Sequence, residues 1–372
     1  MKVALELQPC CWSRSGIGTY TYEIARRLHN SEDFTFFGNA FCPVWKRGSS
    51  DGLSGISIPI RKNELLPYGV YRRIWNAFPR DYQDIFSPSV DLSVFFNFIV
   101  PPRISGKVIT TVHDLTIIRH PETMKRTNYK HIADGLKRSV ERSDRVIVVS
   151  EFTKRELHEL MGVPEEKIRV VPSAPSIHES PVSSFAEIAS RYGIQNDYIL
   201  FVGTIEPRKN IVRLLQAFDK LKTEKNITEQ LVLAGGDGWE DKEIYQVLSQ
   251  SRYKSDVIIT GFIDEPSKVA LYQHAKAFVF PSIYEGFGIP PLEAMACGCP
   301  TVCADISSLP EVVGDASFLI NPLDIDSITD GIYTVLNNEP LREKLVAKGR
   351  TQVQKYTWDK TVKTFLQVIA ET

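Results

Sequence analysis

Residues 277–305, "AFVFPSIYEGFGIPPLEAMACGCPTVCAD", cannot hold one kind of structure throughout. The ends, "AFVFPS" and "PTVCAD", are short apolar runs bounded by turn residues and read as strands. Between them Pro290 and Pro291 are incompatible with a helix interior, because proline removes a backbone donor and its ring clashes with the preceding turn. The stretch therefore reads as a loop through Gly286 and Gly288, then a proline at the first helical position, with "LEAMA" continuing as helix. Glu285 falls in the loop and Glu293 in the first turn. A small-residue loop feeding a helix N-terminus presents free N–H groups and the positive end of the dipole to an anionic or strongly polar ligand. For Glu293 alone, ordinary dipole complementation, worth about 0.3–1 kcal/mol, is an equal explanation.

The same alternation extends in both directions. Strands are predicted at "KVALEL", "FTFFG", "GISIPI", "DLSVFF", "KVITTV", "RVIVVS" and "IRVVP", and again at "YILFVGT", "LVLAGG", "VIITGF", "AFVFPS", "PTVCAD" and "SFLINP". Runs this apolar, separated by helical patterns, are parallel strands covered on both faces. The fold class is α/β, with two doubly wound Rossmann-like domains facing a central cleft. The boundaries read as a first domain over 1–172, a linker over 173–190 that opens with the Ser- and Pro-rich "SAPSIHESPVSS", a second domain over 191–355, and an amphipathic terminal helix over 356–372.

Composition narrows the function. A chain of 372 residues with 43% hydrophobic and 24% charged residues has ample material for packed cores. Its formal charge of −1 argues against a dedicated nucleic-acid binder. Cys10, Cys11, Cys42, Cys297, Cys299 and Cys303 form no C-x-x-C pair and read as reduced thiols of a cytosolic protein. No signal peptide is evident at "MKVALELQPCCW", and the longest apolar run, "LSVFFNFIVPP", is shorter than the roughly 20 residues of a membrane-spanning helix. The expected location is the cytoplasm, at most resting on the inner face of the membrane.

In doubly wound sheets ligands gather beyond the carboxyl ends of the strands. After "YILFVGT", Arg208 and Lys209 stand at the mouth of a helix beginning near Asn210, where cations oppose the dipole unless an anion sits between them. Phosphate is the chemical match for a guanidinium fork beside an ammonium, with solvated surface cations as the alternative. His113 follows "KVITTV", where it can position a reacting group or be purely structural. Gly16 and Gly18 precede a helix, but Thr21 stands where a dinucleotide fingerprint needs its third glycine. Gly235 and Gly236 form a Gly-rich turn with Asp237. Ser150 reads as a helix cap. Asp324 and Asp326 have the D-x-D form of some metal sites, yet precede a helical pattern and read as its cap.

Taken as an ordered set, "FVGTIEPRKN", "LVLAGGDG", the long run from "VIITGFIDE" through "YEGFGIPPLEAMACGCPTV", and "PEVVGDASFLINP" resemble the donor-binding domain of the retaining glycosyltransferases of family 4, whose two-domain arrangement is called GT-B. Glu285 and Glu293 match that family's E-x7-E motif. The first half resembles it more loosely, through "RSGIGTYTYEIARRL", "TVHDL" and "RVIVVSEFTKREL". The resemblance implies that Glu285 contacts hydroxyls of the transferred sugar, Glu293 bonds the ribose, Arg208 and Lys209 hold the diphosphate, and His113 lies near the reacting carbon. It implies that Gly16 and Gly18 let a loop close over the phosphates, and that Phe262 and Ile263 read the base. By the same resemblance Gly203, Gly286, Phe287, Gly288 and Ile289 complete the nucleotide-sugar positions, the domain over 1–172 binds the acceptor, that over 191–355 binds the nucleotide-sugar donor, and the terminal helix over 356–372 with Trp358 crosses back to the first domain. The implied reaction is metal-independent transfer with retention, without a cofactor. Its partners are a nucleoside diphosphate sugar, first of all GDP-mannose with UDP-sugars next, and a glycan or polyprenyl-linked glycan acceptor of bacterial surface polysaccharide synthesis.

Residues 41–80 fit the resemblance least. Seven cations (Lys46, Arg47, Arg61, Lys62, Arg72, Arg73, Arg80) outnumber Asp51 and Glu64, and "GVYRRIWNAF" places Val70, Tyr71, Ile74, Trp75 and Phe78 on one predicted helical face. Such a face suits an anionic membrane surface or the protein's own core. Rival readings are a glycosidase using the two glutamates, a nucleotide-sugar epimerase, a non-catalytic sensor and an NAD-dependent dehydrogenase. The first leaves Arg208 and Lys209 unexplained.

Overall fold

A computed structural model describes residues 1–11, 16–45, 48, 50–75, 77, 80–86, 89–177, 184–236, 238 and 242–372. Lys46, Arg47, Phe78 and Asp237, and residues 178–183 of the expected linker, lie outside the described residues. The chain divides into two compact units. One comprises Met1–Ile117, Arg126–Ser173 and Trp358–Thr372; the other comprises Ile118–Lys125 and Ala174–Thr357.

The first unit holds a seven-stranded parallel sheet: β1 (Lys2–Glu6), β2 (Thr35–Phe41), β3 (Ile60–Asn63), β4 (Leu92–Phe95), β5 (Lys107–Val112), β6 (Arg145–Val148) and β7 (Ile168–Val170). Their spatial order is β3-β2-β1-β4-β5-β6-β7. The chain winds outward from β1 to β3, then returns beside β1 as β4 and winds the other way. β3 lies later than "GISIPI" predicts, because Pro59 has no N–H to donate. Its carbonyl accepts from Gly38 N at 2.9 Å, and the ladder proper starts at Ile60 opposite Gly38.

The C-terminal helix Trp358–Glu371 belongs to this unit. Its buried face, Trp358, Thr361, Val362, Phe365, Val368 and Ile369, repeats at helical spacing. Phe365 stacks on Phe96 with centroids 5.8 Å apart, and Thr361 Oγ1 donates to the Pro172 carbonyl at 2.8 Å.

The second unit holds a six-stranded parallel sheet: β8 (Tyr198–Val202), β9 (Gln230–Ala234), β10 (Val257–Gly261), β11 (Ala277–Phe280), β12 (Thr301–Ala304) and β13 (Ser317–Ile320), in the order β10-β9-β8-β11-β12-β13. β8, β9, β11 and β12 are buried along their whole length, which is why they read as unbroken apolar runs. Winding reverses between β8 and β11. Beyond their carboxyl ends the connecting loops diverge and leave a crevice, the place where open α/β sheets bind ligands.

The basic segment does not form the single apolar face its sequence suggests. The helix Tyr68–Ile74 buries Tyr71, and Trp75 beyond it, while Val70 and Ile74 are exposed. Tyr71 stacks on Phe41 at 5.1 Å and Trp75 lies 5.9 Å from the His131 ring, so the two aromatics are held by their own unit. Residues at i and i+4 share a stripe, and the unit takes the 71/75 stripe but not the 70/74 one.

Candidate active site

The loop after β8 is pinned before it reaches its charged residues. Gly203 N donates to the Ala234 carbonyl and Ile205 N to that of Gly236, both at 3.0 Å. A Cβ at Gly235 would lie 1.9 Å from the Gly203 oxygen, so the close approach of these two loops requires glycine. The 3-10 turn Pro207–Lys209 follows, and Asn210, at φ 61 and ψ 34, redirects the chain into the helix Ile211–Glu224. The Asn210 amide nitrogen donates to the carbonyls of Pro281 at 3.0 Å and Pro322 at 2.6 Å. One buried amide thus ties the ends of β8, β11 and β13 together.

That tie places Arg208 and Lys209 against Glu285. Lys209 Nζ lies 2.5 Å from Glu285 Oε1, and Arg208 NH1 lies 2.8 Å from Oε2. Arg208 NH2 also bonds Glu206 Oε1 at 2.7 Å, and NH1 donates to the Tyr284 carbonyl at 2.7 Å. Two cations and two carboxylates share a largely buried site, since an unpaired charge here would cost several kcal/mol. Burial by itself would raise the Glu285 carboxyl, but Arg208 and Lys209 outweigh it and hold the group down at about 2. Burial, then Arg208, push the Lys209 ammonium down, against the pull of Glu285.

The glycine loop of residues 284–288 is fixed from β12. Glu285 N donates to Ser307 Oγ at 3.0 Å, and Ser308 Oγ donates to the Glu285 and Phe287 carbonyls, each at 2.9 Å. Ser307 is itself left-handed, at φ 58. Gly288 caps the helix Ile289–Ala296 at φ 105, and a Cβ there would meet Leu309 Cδ2 at 2.6 Å. Glu293, 6% exposed, is bonded by Lys268 Nζ at 2.7 Å and by the Tyr272 hydroxyl at 3.3 Å. Burial raises its carboxyl in spite of Lys268. The two glutamates therefore sit in separate polar settings rather than facing each other as a pair.

These elements bring together Arg208, Lys209 and Glu285, with Gly203, Gly286, Phe287, Gly288 and Ile289 on the same loops. Phe262, just beyond β10, is 85% exposed, and Ile263 beside it is half-buried. Asp324 caps the helix Ile325–Asn337, accepting from Asp326 N at 2.9 Å, and Asp326 pairs with Lys220. Ser150 likewise caps its helix, accepting from Thr153 N at 3.1 Å.

His113, Gly16 and Gly18 belong to the other unit. His113 follows β5, and its Nε2 lies 2.7 Å from the Phe96 carbonyl. A carbonyl only accepts, so Nε2 carries the proton and the neutral ring presents Nδ1 as an acceptor. Burial lowers the imidazole's pKa. Gly16 and Gly18 lie inside the first turn of the helix Gly16–Ala25 instead of preceding it. Tyr20, Ile24 and Ala25 are buried and draw the helix onto the sheet, with the Tyr20 hydroxyl donating to the Val171 carbonyl at 3.0 Å.

Comparison with known proteins accounts for this arrangement. Residues 14–174 match Glycosyltransferase Family 4, and residues 186–352 match Glycosyl transferases group 1. The O-antigen chain mannosyltransferase B of Escherichia coli is 31% identical over 96% of this chain and 97% of its own. The chain belongs to glycosyltransferase family 4. Solved structures agree on the fold. This glycosyltransferase superposes on sucrose-phosphate synthase from Thermosynechococcus elongatus with a TM-score of 0.75, at 19% identity over 100% of this chain and 98% of that one. It superposes on Anabaena Alr3699/HepE in complex with UDP and glucose with a TM-score of 0.74, at 17% identity over all of both chains. Both are two-domain GT-B neighbours.

Five residues that sequence reasoning passed over organise the glycosyltransferase site: Glu206, Asn210, Lys268, Ser307 and Ser308. Glu206 carried a faint signal, an acid two positions before Arg208 beyond a strand end. The others are ordinary polar residues until the fold brings them to the E-x7-E loop.

Proposed function

We propose that the enzyme transfers a sugar, first of all mannose from GDP-mannose, to a hydroxyl of a glycan or lipid-linked glycan of bacterial surface polysaccharide. Transfer proceeds with retention and without a metal ion. The observation that carries this reading is the Arg208–Lys209–Glu285 cluster at the switch point of the second sheet. Cleaving a nucleoside diphosphate sugar puts growing negative charge on the diphosphate, and fixed cations in a buried crevice stabilise that charge with little reorganisation. Arg208 and Lys209 take that role. Glu285, fully ionised, accepts from hydroxyls of the transferred sugar, and Glu293 with Lys268 meets the ribose. Exposed Phe262 offers the base a surface at the strand end. The role proposed for His113 is to meet the sugar's reacting carbon as a neutral imidazole. Mannose as the sugar draws support from the relative named an O-antigen chain mannosyltransferase.

No helix among the described residues is long and apolar enough to cross a membrane. Exposed Val44, Trp45, Leu65, Val70 and Ile74, interspersed with Arg72 and Arg73, favour peripheral contact with anionic lipid, which would bring the enzyme to a lipid-linked acceptor.

The test is thermal stability with EDTA present, against GDP, UDP, ADP and dTDP and their common sugars. A ligand at 100 times its Kd adds about 2.7 kcal/mol. One nucleotide standing out supports the reading; no shift without magnesium removes metal independence, and no shift at all removes the donor site. Glu285→Ala should abolish transfer while keeping nucleotide binding, because Arg208 and Lys209 then lack a carboxylate and favour the diphosphate more. Full transfer activity in that variant would contradict the role given to Glu285.

A further inference from the structure

β4 and β5 pair in register as far as Phe95 opposite Thr110. Continued one step further, that ladder would have the Thr111 carbonyl accept from Asn97 N. It accepts instead from Phe98 N, at 3.0 Å, so one extra residue has entered the chain just past β4. A tight turn takes up the slack: Ile99 N donates back to the Asn97 carbonyl at 2.5 Å, closing three residues around Phe98, whose φ is 57. A three-residue closure with positive φ at its centre is the rarer, strained form of γ-turn. Glycine or asparagine is the ordinary occupant of left-handed backbone, and a bulky aromatic there is an outlier. Such strain persists only where the surroundings over-determine it, and it gathers at functional sites.

The turn is gripped by the strand that presents His113. Phe98 has both backbone groups on β5: its N–H on the Thr111 carbonyl, and its carbonyl accepting from Thr110 Oγ1 at 3.4 Å. Its ring is buried and lies edge-on to the His113 ring, with centroids 5.8 Å apart. Tyr20 makes a second edge-on contact to the imidazole, at 5.3 Å. Phe96, where the ladder breaks, gives its carbonyl to His113 Nε2 at 2.7 Å. The break therefore does two things at once: it leaves a carbonyl for Nε2 and sets an aromatic ring against the imidazole. Filling the core would require an apolar side chain at Phe98, but not a left-handed backbone.

We propose that Phe98 is a positioning residue for His113, its strained turn holding the imidazole in one tautomer and one orientation for the sugar's reacting carbon. The inference rests on the glycosyl-transfer reading and adds to it a residue that acts through His113. A neighbour that fixes which ring nitrogen carries the proton fixes what the imidazole can do, and here it leaves Nδ1 as the acceptor.

The experiment uses the full chain with isotope-labelled histidine, since ring-nitrogen chemical shifts read the tautomer whether or not transfer occurs. The wild type should show His113 as a single Nε2–H tautomer near neutral pH. Phe98→Leu keeps an apolar side chain and removes the ring. It should give a mixture of tautomers and a kcat about tenfold lower, with the donor KM and the nucleotide-induced thermal shift unchanged. Phe98→Tyr keeps the ring and should keep the single tautomer and most of the rate. A double-mutant cycle completes the test: on a His113→Ala background, Phe98→Leu should cost less than about twofold, because nothing is left to position. Equal losses with and without His113 would make Phe98 a packing residue only. A mixed tautomer in the wild type, or a single one retained in Phe98→Leu, would overturn the proposal. Full transfer by His113→Ala would overturn it together with the role given to His113. Absence of nucleotide shifts in the wild type would instead remove the transfer reading, while the tautomer spectra still judge the turn.

Discussion

Glu6 and Glu285 are both buried glutamates at strand ends, and their surroundings push them in opposite directions. Glu285 has Arg208 and Lys209 and is held at about 2. Its stabilising pairing is complete above the ordinary carboxyl range and is lost as pH falls from about 4.5 towards 2. Among the described residues Glu6 faces no cation; its Oε1 accepts from Gln8 N at 3.1 Å, and burial outweighs that bond and raises the carboxyl to about 8. The folded chain therefore keeps a proton that the unfolded chain has released, and stability contributed by the neutral carboxyl drains away as pH rises from about 4.5 to 8. Tyr68 and Tyr82 beside it are themselves pushed up by burial and do not titrate in that window. Glu6→Gln removes this titration, so the variant should gain on the wild type by up to about 1.4 kcal/mol per pH unit between pH 5 and 8. Urea unfolding at several pH values measures it; parallel stability curves for the two proteins would show that the carboxyl is not held neutral.

At the scale of elements, the strand–loop–helix of residues 277–296 depends on one backbone conformation. Gly288 at φ 105 lets the glycine loop turn into the helix Ile289–Ala296 with Leu309 packed against the turn. Gly288→Ala puts a Cβ in a region closed to L residues and 2.6 Å from Leu309 Cδ2. A loss of about 1–3 kcal/mol is expected, together with a fall in transfer, because Glu285 sits on one side of the turn and Glu293 on the other. Thermal melts and initial rates decide it. Wild-type stability with unchanged rates would mean that the loop does not need this turn. Sequence placed the loop and the helix correctly because glycine and proline report on the backbone itself, but it put a proline at the first helical position and Glu293 in the first turn, whereas the helix starts at Ile289 and its first turn holds no acid. It misplaced β3 and put Val70 and Ile74 on one buried face with Tyr71 and Trp75, where only the latter two are buried around the helix Tyr68–Ile74, because an apolar residue announces burial without saying against what.

At the scale of the molecule, the C-terminal helix is part of the first unit although some 180 residues of the second precede it. Trp358 meets Tyr20 edge-on with centroids 6.2 Å apart, Phe365 stacks on Phe96, and Arg169 Nε bonds Glu371 at 2.8 Å. Each large apolar side chain re-exposed costs about 1.5–3 kcal/mol, so deleting residues 358–372 should destabilise the first unit by several kcal/mol. The nucleotide-induced shift, which belongs to the second unit, should survive. Hydrogen exchange resolved by segment reads both; equal loss of protection in the second sheet would refute that separation.

The sequence by itself determined the parallel α/β architecture, the switch from strand to glycine loop to helix at 277–296, and the identity of Arg208, Lys209, Glu285 and Glu293 as site candidates. These are local matters: periodicity, proline and glycine stereochemistry, and residues at strand ends. Only the tertiary structure decided what each charge faces. Arg208 and Lys209 on Glu285, Lys268 and Tyr272 on Glu293 and Asn210 joining three strand ends are contacts between residues far apart in the chain, and the burial of Glu6 away from any cation among the described residues is likewise a product of packing. Burial and pairing, which set the charge a carboxyl carries, exist only once the sheets have formed.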